Sequence, residues 1–333
     1  MKRTRKLGHD GPTVSGLGIG AMSFSNFYGP VDEAQSHRVL DAARELGVTH
    51  IDTADIYGQG ASETRIGRYL KQNPSAKDDF HIATKGSIVP QGAGDKRFNN
   101  EAAYLTQALD ASLIRLGVDF VDLYYVHRRD TDLEIEEVTE TLAGFVKAGK
   151  IGGFGYSEIS PTTIRRAQAV HPIRAIQSEY SLSTRTPELG VLQACADLDI
   201  TFVAFSPVGR SLLTDRPHTR AIAENLPFLA NNPRFMEPNL SWNIERAAGF
   251  RALAADMGLT AAGLSISWAL SQGSHVLPIP GTRSVDHLSA MVQGAERVLT
   301  TDELATVDAA LPMGWVNGDR YSADQWNGPE RYA

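Results

Sequence analysis

Thr49-His-Ile-Asp-Thr-Ala-Asp-Ile-Tyr-Gly58, His81-Ile-Ala-Thr-Lys85 and Val121-Asp-Leu-Tyr-Tyr-Val-His127 share one design. Each is a short apolar run with polar groups at its carboxyl end: Asp52 and Tyr57 after the first, Lys85 after the second, His127 after the third. Short apolar runs bounded by turn residues read as buried strands. In a parallel (β/α) barrel every strand end of this kind opens on one face, so the four side chains can meet over one pocket. A phenol beside an ammonium, a carboxylate and an imidazole is a set of groups for moving a proton.

Outward from these runs, strands are predicted near 17–20, 48–52, 81–85, 121–126, 151–155, 174–177, 201–205 and 276–280. Amphipathic stretches separate most of them. Asp32 can cap a helix that runs to Glu45 and stops at Gly47, with Val39, Leu40, Ala43 and Leu46 on one face. Ser160-Pro161 is a cap followed by proline at the first helical position, and Asn99 or Asn100 can begin a helix through Leu116 that ends at Gly117. Strands alternating with helices mean a parallel sheet, and eight such units point to a closed (β/α)8 TIM barrel. Before it, Arg5-Lys6-Leu7 and Thr13-Val14-Ser15 flank His9-Asp10-Gly11, a hairpin signal.

Two intervals interrupt the rhythm. Residues 86–98 form a glycine-rich loop, and residues 207–240 carry five prolines. Long loops within a compact domain are usually functional, and both leave the carboxyl-end face. The tail 312–333 holds Trp315, Tyr321, Trp326 and Tyr332; it either folds across the pocket or packs on the surface. No linker divides the chain. One domain over 1–333 is expected, with the hairpin at 1–16 and the tail at 312–333.

Composition narrows the classes. The chain has 333 residues, a barrel-sized length, with 42% hydrophobic content. Its net charge of −7 and lack of a basic block argue against nucleic-acid binding. The single cysteine, Cys195, cannot form an intrachain disulfide. The basic start is not followed by an apolar stretch, so no signal peptide is read. No run approaches the ~18 apolar residues of a membrane span. A cytoplasmic protein without a membrane partner is the expectation. No His/Cys cluster has metal-binding spacing, and no metal is expected.

The Asp52, Tyr57, Lys85 and His127 set resembles the catalytic tetrad of the aldo-keto reductases, in the branch with an Ile-Pro-Gly-Thr phosphate motif. The resemblance extends along nearly the whole chain. Leu17-Gly-Ile-Gly-Ala-Met22 looks like the first-strand motif, which places Gly20, Ala21 and Met22 with Asp52 beside the nicotinamide. Ser157, in Gly155-Tyr-Ser-Glu158, and Gln177 match residues that hold the carboxamide. Many members have asparagine where Glu158 stands. Phe205 falls where a tyrosine usually stacks on the nicotinamide ring, and Ser206, Pro207, Val208, Gly209 and Arg210 would follow the pyrophosphate. Ile279-Pro-Gly-Thr-Arg283 resembles the phosphate motif, so Gly281, Thr282, Arg283 and His287 would surround a 2′-phosphate at a helix start. His287 stands where many members carry arginine, and Ala290-Met291 replaces a Glu-Asn pair that usually touches adenine.

The resemblance implies reduction of aldehydes or reactive ketones with NADPH, NADH being the weaker alternative. Tyr57 would be the general acid, tuned by Lys85 and Asp52, with His127 orienting the carbonyl. Met22, Phe24, Tyr28, Ile88, Arg128 and the tail aromatics are the expected pocket walls, and such a lining fits aryl or small apolar aldehydes. The alternative is a cofactor-binding regulatory subunit resembling the β subunits of voltage-gated potassium channels. A phosphosugar isomerase on the same barrel would have no place for the complete tetrad.

Overall fold

A computed structural model describes residues 1–92 and 96–331. The predicted Ala93, Gly94 and Asp95 of the glycine-rich loop and Tyr332 of the tail therefore lie outside the described residues.

A hairpin of β1 (Thr4–Lys6) and β2 (Thr13–Ser15) precedes eight parallel strands. These are β3 (Gly18–Gly20), β4 (His50–Asp52), β5 (His81–Gly86), β6 (Leu123–Val126), β7 (Phe154–Ser157), β8 (Ala175–Glu179), β9 (Thr201–Phe205) and β10 (Val276–Pro278). Each pairs with its chain neighbour from β3 to β10. The ring nearly closes: between β3 and the segment after β10, the Gly20 N–H donates to the Pro280 carbonyl at 2.9 Å. All eight strand positions follow the apolar runs of the sequence.

The inside of the ring is a small apolar core that includes Ala83, Leu123, Tyr125, Ala175, Val203 and Leu277. Leu7 and Val14 of the hairpin join it, so the hairpin plugs the amino-end floor. Arg5 Nε ties the plug to the Val276 carbonyl at 2.8 Å. A larger core lies between the sheet and the surrounding helices.

Local sequence explains the helix limits. Asp32 Oδ1 accepts from the Gln35 N–H at 2.6 Å and starts helix Glu33–Leu46; Gly47, at φ 70°, ends it. Ser160 caps Pro161–Val170 as expected. Helix Ala102–Leu116 begins two or three residues later than predicted, with Glu101 as its cap residue. Asn99 Oδ1 accepts from the Glu101 N–H just outside the helix. Asn100 is buried and bonded instead to the Arg128 carbonyl and the Asp130 N–H beyond β6.

The proline-rich interval is not structureless. It folds into short helical turns with their own apolar cluster of Leu212, Ala223, Leu226, Leu229, Phe235 and Leu240. Among the described residues no single helix is long and apolar enough to cross a membrane.

Candidate active site

The carboxyl-end face holds a cavity of about 780 Å³. Asp52 ends β4, Lys85 lies in β5, and His127 follows β6. Tyr57 sits five residues beyond Asp52, on a turn whose Tyr57 N–H donates to the Ala54 carbonyl at 3.2 Å. The barrel thus brings the four groups together.

Lys85 is wholly buried beneath the cavity floor. Its Nζ is ion-paired with Asp52, donates to the Thr53 carbonyl at 2.8 Å, and lies 3.4 Å from the Tyr57 hydroxyl. Burial works against the ammonium charge, but Asp52 and Tyr57 outweigh it and hold its pKa above the ordinary value. The second Asp52 oxygen, Oδ2, accepts from Gln177 Nε2 at 2.8 Å.

The Tyr57 hydroxyl departs from expectation. Burial raises its pKa, and Lys85 offsets only part of that rise. Burial is the main cause, and Asp52, ion-paired with Lys85, also opposes ionisation of the phenol. His127 packs edge-on against Tyr57, with ring centroids 5.7 Å apart. Burial, then Arg128 and Lys85, pushes the His127 pKa well below the ordinary value, so the ring is neutral. Its Nδ1 is buried without a hydrogen-bond partner, which leaves Nε2 as the polar atom it can offer to the cavity.

From this corner the cavity runs along the tips of β7, β8 and β9 to the start of helix Val285–Glu296. Gly20, Met22, Ser157 and Gln177 line its inner half. Phe205, Ser206, Pro207, Val208 and Arg210 line the middle, and Gly281, Thr282, Arg283 and His287 the outer end. Ala21 and Gly209 are buried behind the wall. Ser206, Arg210 and Ser211 have φ of 50°, 51° and 97°. Three non-glycine residues in the left-handed region of one loop are costly and mark a segment shaped for a ligand. At the outer end, Ser284 caps the helix through the His287 N–H, while Arg283 has no ion pair among the described residues. Its Nη1 donates to the Pro30 carbonyl at 2.8 Å.

Expected placements differ for Arg210, Phe24 and Ile88. Arg210 reaches the cavity wall, but its guanidinium is bound to Glu179 at 2.5 Å and lies between the rings of Phe228 and Tyr321. Phe24 is fully buried in the outer core and Ile88 is not in the lining; Phe27 and Phe228 line the cavity instead. The tail does fold over this face. Trp315 Nε1 donates to the Leu182 carbonyl at 2.8 Å, Arg320 pairs with buried Glu158, and Tyr321 lines the cavity. Glu330 then bonds Arg129, the Ser160 N–H and Thr163. Arg216 and His218 also line the cavity; in the sequence they flank Pro217 in a polar stretch, Thr214 to Arg220, that carries no pocket signal.

An elongated cavity with a proton-donating corner, a flat aromatic wall and a cationic helix start fits a nicotinamide dinucleotide. Comparison with known proteins agrees. Residues 16–312 match the aldo/keto reductase family, and the chain belongs to that family. It is 39% identical over 322 residues to an aldo-keto reductase of Schizosaccharomyces pombe whose name specifies NADP(+), an overlap of 96% of this chain and 94% of that one. The glycerol dehydrogenase of Gluconobacter oxydans superposes with a TM-score of 0.81 at 27% identity, covering 93% of this chain and 96% of its own. An aldo-keto reductase of Bacillus halodurans in its holo form gives 0.75 at 27% identity, covering 97% and 99%.

Proposed function

We propose that the protein reduces aldehydes or reactive ketones to alcohols with NADPH. The observation that carries this reading is the convergence of Asp52, Tyr57, Lys85 and His127 at one end of the cavity. The bound dinucleotide would supply the hydride. Ser157 and Gln177 stand where they can hold its carboxamide, Phe205 offers a stacking face, and Thr282 to His287 offer the phosphate site.

Tyr57 then donates its hydroxyl proton to the carbonyl oxygen as negative charge develops there. Its raised pKa keeps that proton in place at neutral pH. Lys85, 3.4 Å away, stabilises the phenolate left behind, and Asp52 keeps Lys85 charged and oriented. Neutral His127 positions the carbonyl oxygen by a hydrogen bond from its cavity-facing nitrogen. The substrate is a small carbonyl compound, and the setting is cytoplasmic, with no nucleic-acid or membrane partner.

The test is loss of reduced-nicotinamide absorbance with a panel of aldehydes. Turnover of at least one aldehyde is expected. Tight NADPH binding without turnover of any carbonyl would overturn the reading in favour of a regulatory, cofactor-binding subunit.

A further inference from the structure

Among the described residues, Arg128 is a cation of the substrate corner that makes no ion pair. It directly follows His127 and lines the cavity. Its backbone is clamped: the N–H donates to Ser87 Oγ at 2.9 Å, and the carbonyl accepts from Ser87 Oγ at 2.9 Å and from Asn100 Nδ2 at 3.1 Å. Its Nη1 donates to the His127 carbonyl at 2.7 Å and to Ser157 Oγ at 3.0 Å. Its Nε and Nη2 have no hydrogen-bond partner, and it makes no ion pair, among the described residues. Four other arginines on this face do. Arg129 pairs with Glu330, Arg210 and Arg234 with Glu179, and Arg320 with Glu158.

The imbalance extends to the whole corner. Arg128, Arg210, Arg234 and Arg320 face two buried carboxylates, Glu158 and Glu179. Asp319 beside them is exposed, and Lys85 is already matched by Asp52. In a chain of net charge −7, this corner is cationic. Buried or half-buried cations without a counter-charge call for an anion from outside, and a guanidinium fork matches a carboxylate. The rings of Phe27, Tyr28, Phe228 and Tyr321 supply the apolar wall for the spacer between them.

Resting on the reductase reading above, we infer that the preferred substrate is an aldehyde that carries a carboxylate, held by Arg128 while its carbonyl meets Tyr57 and His127. This narrows the expected aryl or small apolar aldehydes to anionic ones.

The experiment compares para-carboxybenzaldehyde with its methyl ester, in wild type, Arg128→Met and Arg128→Lys. A charge-assisted hydrogen bond predicts a wild-type preference for the carboxylate of about 10- to 100-fold in kcat/KM, carried by KM. The ratio should fall to within about threefold of one in Arg128→Met and recover in part in Arg128→Lys. A wild-type ratio near one, or an unchanged ratio in Arg128→Met, overturns the inference. So does equal weakening of NADPH binding by that variant with the ratio intact, which would assign Arg128 to the cofactor. Calorimetric titration with para-hydroxymethylbenzoate reads the anion site without turnover, and equal affinity in wild type and Arg128→Met also overturns it. Arg128-dependent anion binding with no aldehyde reduced would sink the reductase reading alone; reduction of both aldehydes at equal efficiency would sink the anion site alone.

Discussion

Lys85 Nζ lies 3.4 Å from the Tyr57 hydroxyl while ion-paired on its other side to Asp52. The cation is therefore shared, and burial leaves the phenol harder to ionise than free tyrosine. Its help is concentrated in the transition state, when the proton departs. Tyr57→Phe removes the donor and little volume. Turnover should fall by about 10²- to 10⁴-fold, with NADPH affinity within a few-fold of wild type. Steady-state rates and fluorescence titration measure the two; a variant keeping more than a tenth of wild-type turnover excludes Tyr57 as the acid.

Lys85→Met leaves the Asp52 carboxylate buried with only Gln177 Nε2 as a side-chain donor. Breaking a buried pair in this way costs about 3–5 kcal/mol. Activity and melting temperature should both fall. Adding Asp52→Asn should recover part of the melting temperature and none of the activity, because the stray charge is gone but the cation is not restored. Recovery of both would make the pair purely structural.

Arg283 has no ion pair among the described residues and stands at a helix start, so a 2′-phosphate would meet a guanidinium held only by the Pro30 carbonyl. The expected preference for NADPH over NADH is tens-fold, from about 1.5–3 kcal/mol per charge-assisted bond. Arg283→Ala should weaken NADPH binding and spare NADH. Titration of both cofactors into both proteins decides; equal losses for the two mean that Arg283 does not read the phosphate.

Acid should destabilise the fold through two histidines. Burial lowers the pKa of His50 and His127 below the ordinary 6.5, so the unfolded chain binds protons there that the folded chain refuses. Stability is complete above pH 6.5 and falls below it by up to about 1.4 kcal/mol per pH unit for each histidine. Asp55 acts in the opposite sense. Burial, with Glu63 nearby, raises its pKa to about 7, so its ionisation penalty disappears on acidification. Urea unfolding at pH 7.5 and 5.5 should show a shallower pH dependence for His50→Gln than for wild type. Asp55→Asn should raise stability at pH 8 and have little effect near pH 4. An unchanged slope in His50→Gln would mean that the His50 ring titrates normally in the fold.

What could be read from the sequence is local. Asp32 and Gly47 mark a helix because capping is decided within a few residues, and the β4, β5 and β6 ends are legible because each run is continuous. The partners of Arg210 were not legible. Glu179 is 31 residues away, and Glu158 and Arg320 meet across 162 residues. No spacing rule reports such a pair, and an arginine after a strand reads equally as a ligand contact. The same limit explains Phe24, which the loop position suggested for the pocket and the outer core absorbed. Arg128 is legible as a wall residue, but that it makes no ion pair among the described residues appears only once the neighbours are placed.

The barrel closes between β3 and the end of β10 by the Gly20 to Pro280 bond, where other neighbouring strands share ladders. In mechanical terms the ring is a curled sheet with two free margins brought edge to edge. Gly20 and Met22 on one margin and Ile279 and Gly281 on the other all border the cavity. A dinucleotide lying there spans the joint as a splint. It would add stiffness where backbone bonding between neighbouring strands is sparsest, so ligand binding would brace the ring at its seam.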